Sequence, residues 1–193
     1  MSTLSKRTAL GALTLLILST AAARGGEWTA PVEVQYDFKP CVAYQARLAG
    51  EFLVVRAALQ PGWHTFAMDN KQRAEEKLHG RPPLSIDAPT EIKLSQGLDL
   101  AGPWYQSPPK DFSHPELQWF SWGFEGQAQF VAKIRRSGAG PAQIAITGQA
   151  CTATICKKVD VAISLPLPRP GTDAGPSSID LKALVRARQP DQR

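Results

Sequence analysis

Between glycines and prolines this chain keeps falling into short runs whose apolar residues recur at every second position, and that rhythm constrains it more than any other feature. A two-residue period is the signature of strands with one buried face. Gly 15 and Pro 16 among 193 residues supply the punctuation, about one position in six, enough for many turns without reaching low complexity. Thr29 to Phe38 places Val32, Val34 and Tyr36 on one face. Phe52 to Leu59 reads as a second strand, and Pro61-Gly62 as a turn from which Trp63 to Met68 returns as its hairpin partner. Leu84 to Ile86 and Glu91 to Leu94 are brief strand candidates. Trp119 to Phe124 and Gln127 to Ile134, around Glu125-Gly126, read as another hairpin, and Ala142 to Thr147 and Val159 to Leu165 alternate cleanly.

Two segments depart from this pattern. Asp69 to His79, with Asp69 or Asn70 as cap, helix formers from Ala74 to Leu78 and Gly80 as a stop, predicts one short helix. Gly102 to Pro115, carrying Pro103, Pro108, Pro109 and Pro115, predicts an irregular loop. Eight or so short strands without a strand-helix-strand rhythm predict an all-β fold, an immunoglobulin-like antiparallel β-sandwich with a short helical insertion. A Pro-, Gly- and Ser-rich linker, Pro166 to Ser178, precedes a terminal helix expected over Ile179 to Arg188, capped by Ser178.

The first residues read as an export signal. Lys6 and Arg7 form a positive start, Ala9 to Leu18 an apolar stretch, and Ala21-Ala22-Ala23 a small-residue cleavage site. The apolar stretch is half the roughly twenty residues that span a bilayer. The expected organisation is therefore a signal peptide over 1–23, one domain over 24–168, and a linker with a short helix over 169–193, with no membrane span after cleavage. Lys and Arg total 22 against 17 acidic residues, and the like-charge runs are pairs such as Arg135-Arg136 and Lys157-Lys158. No basic stripe of the kind that holds nucleic acid is present.

Export gives the three cysteines, Cys41, Cys151 and Cys156, a compartment in which disulfides persist. Cys151 and Cys156 fall between two alternating runs, on a strand-to-strand connection. A bond between them would close a six-residue ring, for which chain entropy gives roughly 2 kcal/mol. Two readings stay open, a passive hairpin disulfide and an exchange-active pair favoured by Lys157 and Lys158, whose charge promotes the thiolate. Cys41 reads as a buried inert thiol, or as the partner in a mixed disulfide. Two thiolates with His64 or Met68 would also suit Cu(I), a soft ion. His64 by itself reads as a structural histidine, and Trp63, Phe66, Trp119, Phe120, Trp122 and Phe124 as core. A serine nucleophile elbow, a Walker loop and an H-E-x-x-H zinc motif are absent.

Gly148-Gln149-Ala150-Cys151 with Cys156 after four intervening residues, leading into an alternating strand, resembles the amino-terminal periplasmic domain of the DsbD thiol:disulfide interchange proteins. Pro61-Gly62-Trp63-His64-Thr65-Phe66 is similar to that domain's glycine-aromatic strand, and Pro108 to Phe124 to its proline-rich loop and following strand. The resemblance spans roughly Val32 to Leu167. It implies an immunoglobulin-like domain whose pair, Cys151 and Cys156, cycles between dithiol and disulfide without metal or organic cofactor. The implied role is a periplasmic protein-disulfide reductase component. Its implied partners are thioredoxin-fold proteins of disulfide isomerisation and cytochrome c maturation, together with a membrane electron donor supplied in trans. It also implies that His64 and Phe66 line the cysteines and that Asp111-Phe112 caps them. The chain departs from the family in having Lys157-Lys158 where prolines usually follow the second cysteine, and in Asp69 to Arg81, which reads as an insertion. The alternative is an immunoglobulin-like interaction domain with a structural disulfide, or the Cu(I) carrier.

The exported protein is expected to begin near Arg24, and intact-mass measurement checks this; an exported sample that retains residues 1–23 would contradict the assignment.

Overall fold

A computed structural model describes residues 26–79, 81, 87–168 and 179–188. The export segment, the 84–86 strand candidate, most of the linker with Ser178, and Gly80 lie outside the described residues. Among the described residues there are twelve strands: β1 Val32–Tyr36, β2 Lys39–Ala49, β3 Phe52–Leu59, β4 His64–Phe66, β5 Glu91–Ser95, β6 Leu98–Gln106, β7 Lys110–Asp111, β8 Trp122–Glu125, β9 Gln127–Arg136, β10 Ala142–Cys151, β11 Cys156–Leu165 and β12 Val185–Arg186. One α-helix, α1, spans Asn70–Lys77.

These strands form two antiparallel sheets, ordered β1-β2-β3-β9-β6-β12 and β11-β10-β4-β8-β7, with β5 pairing β10 beside β4. Inward residues of both sheets, among them Tyr44, Val55, Trp104, Phe130, Ile144, Ile146 and Ile163, make one continuous core. The fold is the immunoglobulin-like antiparallel β-sandwich that the alternation predicts. No helix among the described residues is long and apolar enough to cross a membrane.

Several local expectations are corrected. β2 is a full strand of 11 residues where the sequence pattern was not assigned, and it carries Cys41 within it. Its alanines Ala43, Ala46 and Ala49 weaken the strand signal, although Tyr44, Ala46 and Leu48 do point inward. The segment after Pro61-Gly62 does not return along β3, because β3 already has β2 on one edge and β9 on the other. It crosses instead to the second sheet as β4, between β10 and β8. For the same reason β8 and β9 are not a hairpin: Glu125-Gly126 is a corner between sheets, with Gly126 at φ 67.

The proline-rich stretch is only partly irregular. β6 runs through Pro103 because the ladder to β9 breaks register between Leu100 and Trp104, where a missing N–H does no harm. The terminal helix is replaced by a single 3-10 turn, Leu181–Ala183, and then β12, which pairs the free edge of β6 at Tyr105 and Gln106. An unpaired sheet edge and a pocket for Ala187 outweigh the helix signal of this segment.

The predicted short helix is present, and it braces the second sheet. Asp69 at its N-terminus is 0% exposed, and its carboxylate accepts from Arg73 Nε at 2.8 Å, Gln106 Nε2 at 2.7 Å and the Arg188 backbone at 3.2 Å. Gln106 Oε1 in turn accepts from Met68 N at 2.9 Å. Next to it, Asn70 Oδ1 accepts from Trp122 N at 2.7 Å, fixing the first residue of β8. Asp69→Ala strips a partner from the buried Gln106 amide and from the partly exposed Arg73 guanidinium, and is expected to cost about 1 to 3 kcal/mol, read as a lowered denaturant midpoint together with protease sensitivity in 179–188.

Candidate functional site

The site follows from register. Cys151, the last residue of β10, stands opposite Cys156, the first of β11, and opposite His64, the first of β4; His64 in turn stands opposite Glu125. Directly paired residues share a sheet face, so Cys156, Cys151, His64 and Glu125 form one row across the second sheet. The row lies on the outer face, since the alternate positions Ala150, Trp122 and Phe124 belong to the inter-sheet core.

The two cysteines are bonded, with S–S 2.06 Å and Cα atoms 4.0 Å apart. The intervening Thr152 to Ile155 turn is closed by Thr152 N donating to Ile155 O at 2.7 Å, and Thr152 Oγ1 accepts from Ile155 N at 3.1 Å. Exposure divides the pair sharply: Cys156 is exposed whereas Cys151 is 2% exposed. Cys151 and Phe66 are buried although neither belongs to the core between the sheets, so their cover comes from the outer side.

A hairpin lies over His64 on this side. β7 pairs β8 through Lys110 opposite Gly123 and Asp111 opposite Trp122, Phe112 N donates to Ser121 O at 2.8 Å, and His114 and Trp119 bond each other's backbones at the tip. Phe112 follows the same parity as Gly123 and lies over the outer face. Its ring is 5.0 Å from that of His64, and His64 meets Phe66 edge-on at 5.3 Å. Gly123 gives the ring its seat, since a Cβ there would come within 3.1 Å of Phe112 and 2.1 Å of Thr65 O. At the tip, Trp119 Nε1 donates to Asp87 Oδ2 at 2.8 Å, tying the hairpin to the chain entering β5.

Four sequence-predicted residues, Cys151, Cys156, His64 and Phe66, thus share one face, with Phe112 above them. Asp111 is exposed and directs its carboxylate to Ser113 N at 2.9 Å. Lys158 shares the cysteine face and pairs with Asp160 at 2.7 Å, whereas Lys157, of opposite parity, acts on Cys41. Cys41 is buried in the core, donates its Sγ to Val34 O at 3.0 Å, and has its thiol pKa raised by burial. Met68 packs in the inter-sheet core, off the cysteine face, and no group of three or more metal-binding side chains occurs among the described residues.

Sequence reasoning missed Asp87, Trp119 and Glu125 as parts of this site. Glu125 had a weak signal as the corner residue of the β8 segment; Asp87 had none, because only the tertiary path of the chain brings it to the hairpin tip. Both carboxylates act on His64. Burial, the largest influence, lowers its pKa from the usual 6.5, and Asp87 and Glu125 pull it back up. Glu125 itself is held below the usual carboxylate value by the Lys110 ammonium, 2.7 Å away.

No protein-family model matches the chain, and no curated protein sequence does. Among solved structures it is similar to the N-terminal domain of DsbD from Neisseria meningitidis in the reduced form, with 14% identity and a TM-score of 0.47 over 68% of this chain and 92% of that one. It is also similar to the GAE domain of GGA2p from Saccharomyces cerevisiae, with 10% identity and a TM-score of 0.35 over 71% of this chain and 98% of that one. Both scores lie below one-half, so the chemistry of the site has to come from its own residues.

A histidine whose pKa is lowered by folding binds fewer protons folded than unfolded, so its neutral state supports stability above the ordinary value and that support is lost as pH falls below it. The denaturation midpoint of the oxidised protein is expected to drop between about pH 7 and about pH 5, and His64→Phe should flatten part of that drop. An identical pH slope in the variant would remove His64 from the balance.

Proposed function

We propose that the protein is a thiol-disulfide exchange protein of an exported compartment, passing reducing equivalents through Cys151 and Cys156 to or from thioredoxin-fold partners. The observation that carries this reading is the asymmetry of the bond: one sulfur belongs to an exposed residue on a turn, the other to a residue covered by His64, Phe66 and the Phe112 hairpin. A disulfide serving only as a staple gains nothing from a cover on one side.

In the proposed reaction, a thiolate on the partner attacks the Cys156 sulfur. A mixed disulfide forms, the Cys151–Cys156 bond breaks, and the electron pair stays on Cys151 sulfur. The partner's second thiolate then attacks its own sulfur in the mixed disulfide, which releases Cys156 and leaves the partner oxidised by two electrons. The reverse sequence delivers those electrons to an oxidised partner. Exchange of this kind needs no metal or organic cofactor. Phe112 acts as a shield on the Cys151 side: small oxidants and reductants meet a covered sulfur there, and a docking partner reaches the exposed Cys156.

Two measurements on variants test the reading. Cys151→Ala should trap thioredoxin-fold partners through Cys156, whereas Cys156→Ala, with only the covered sulfur, should trap little. Phe112→Ala should speed reduction of the bond by a small thiol while costing only about 1 kcal/mol of stability, since the ring is half-buried. A loss of about 3 to 5 kcal/mol with an unchanged reduction rate would make Phe112 a core residue and favour the interaction domain with a structural bond.

A further inference from the structure

The outer-face row contains a base beside the buried sulfur. His64 is the direct cross-strand neighbour of Cys151, and side chains paired in this way have Cβ atoms about 5 Å apart. Its ring is held by Phe112 at 5.0 Å and Phe66 at 5.3 Å, which orients the imidazole and keeps bulk water from one side. The charged groups around it come from every neighbouring element: Glu125 of β8, with Lys110 of β7 bound to it; Asp87 on the chain entering β5; and, beyond Cys151 and Cys156, Lys158 of β11, paired with Asp160. Asp111 faces Ser113 instead. Lys110 and Lys158, the lysines on this face, thus already have carboxylate partners, and His64 is the group beside Cys151 that can change charge near neutral pH.

We propose that His64 is a positioning residue for the exchange chemistry: it takes up a proton as the disulfide opens and holds Cys151 as a thiolate beside its imidazolium. This rests on the exchange reading above. In the oxidised protein the imidazole is neutral, because burial disfavours its charge. When a partner thiol loses its proton and attacks Cys156, the S–S bond breaks, Cys151 sulfur keeps the electron pair, and the proton shed to solvent is taken up by His64. The partner sulfur is oxidised, Cys151 is reduced, and charge balances within the covered pair. Asp87 and Glu125 favour the imidazolium once it forms. A buried thiolate without such a neighbour would be disfavoured by its surroundings, so its ionisation would move up.

The test uses the full exported chain carrying Cys156→Ala, in which Cys151 is the single thiol of the pair. Ultraviolet thiolate absorbance is followed against pH, with the Cys41 contribution subtracted from a Cys151→Ala, Cys156→Ala chain. With His64 present, Cys151 should ionise in two steps, because an interacting thiol and imidazole titrate as a pair. With His64→Gln it should ionise in one step, shifted upward by about one pH unit or more. His64→Phe keeps a ring between Phe66 and Phe112 and should give the same result, which covers the case in which the glutamine variant fails to fold. A cover loosened by the substitution would expose the sulfur and shift its ionisation downward, so an unchanged or lowered midpoint in the variant that folds overturns the proposal. The titration involves no partner, so its outcome is separate from whether any thioredoxin-fold protein exchanges with the bond.

Discussion

The pairing of a three-residue strand between two longer ones organises the candidate site. β4 is short, yet His64 meets Cys151 on one side and Glu125 on the other, while Thr65 meets Ala150 and Phe124. Without it β10 and β8 would not share a sheet, the disulfide would stand at a bare edge, and no imidazole would lie beside it. Side-chain bonds reinforce so short a pairing. Thr65 Oγ1 donates to Gln149 O at 2.8 Å, and Thr90 Oγ1 donates to Phe66 O at 2.7 Å. Buried hydrogen bonds of this kind are each worth only about 1 kcal/mol net, but leaving their groups unpaired costs more.

The hairpin over the site gets its order from the start of α1. Asn70, at the start of α1, bonds Trp122 N, and the adjacent Asp69 gathers Arg73, Gln106 and the chain at Arg188. β8 is thereby fixed at the point where the hairpin leaves it, and Trp119 holds the tip to Asp87. The segment that read as an insertion is a brace for the site.

Much of this was legible in the chain. Strict alternation around Cys151 and Cys156 located both strands of the β10–β11 hairpin, because one buried face forces a two-residue period. The helix was legible from its helix formers, Ala74 to Leu78, although Asp69 at its N-terminus makes no side-chain capping bond. Which sheet a strand joins was not legible: β4 and β8 carry the same local pattern as hairpin partners would, and only the occupied edges of β3 and β9 send them elsewhere. The terminal segment was misread because its helix signal is local while the open edge of β6 is a tertiary fact. Asp87 and Glu125 escaped because single carboxylates in connecting segments have no periodicity to announce them.

The energetics of the bond show how little of the fold rests on it. β10 and β11 are held together by ten consecutive register pairs, from Ala142 opposite Leu165 to Cys151 opposite Cys156. The disulfide sits at the last of these, closing a ring whose entropic contribution is roughly 2 kcal/mol. The inward faces of both strands, Ile144 and Ile146 against Val161 and Ile163, are packed in the core and fix the hairpin whether or not sulfur is oxidised. Opening the bond therefore removes a small share of the forces that hold these strands, and neither cysteine has to move far. Cycling between dithiol and disulfide requires this condition. A bond that carried the fold could not be broken at every turnover, whereas one placed at the end of an already complete ladder can.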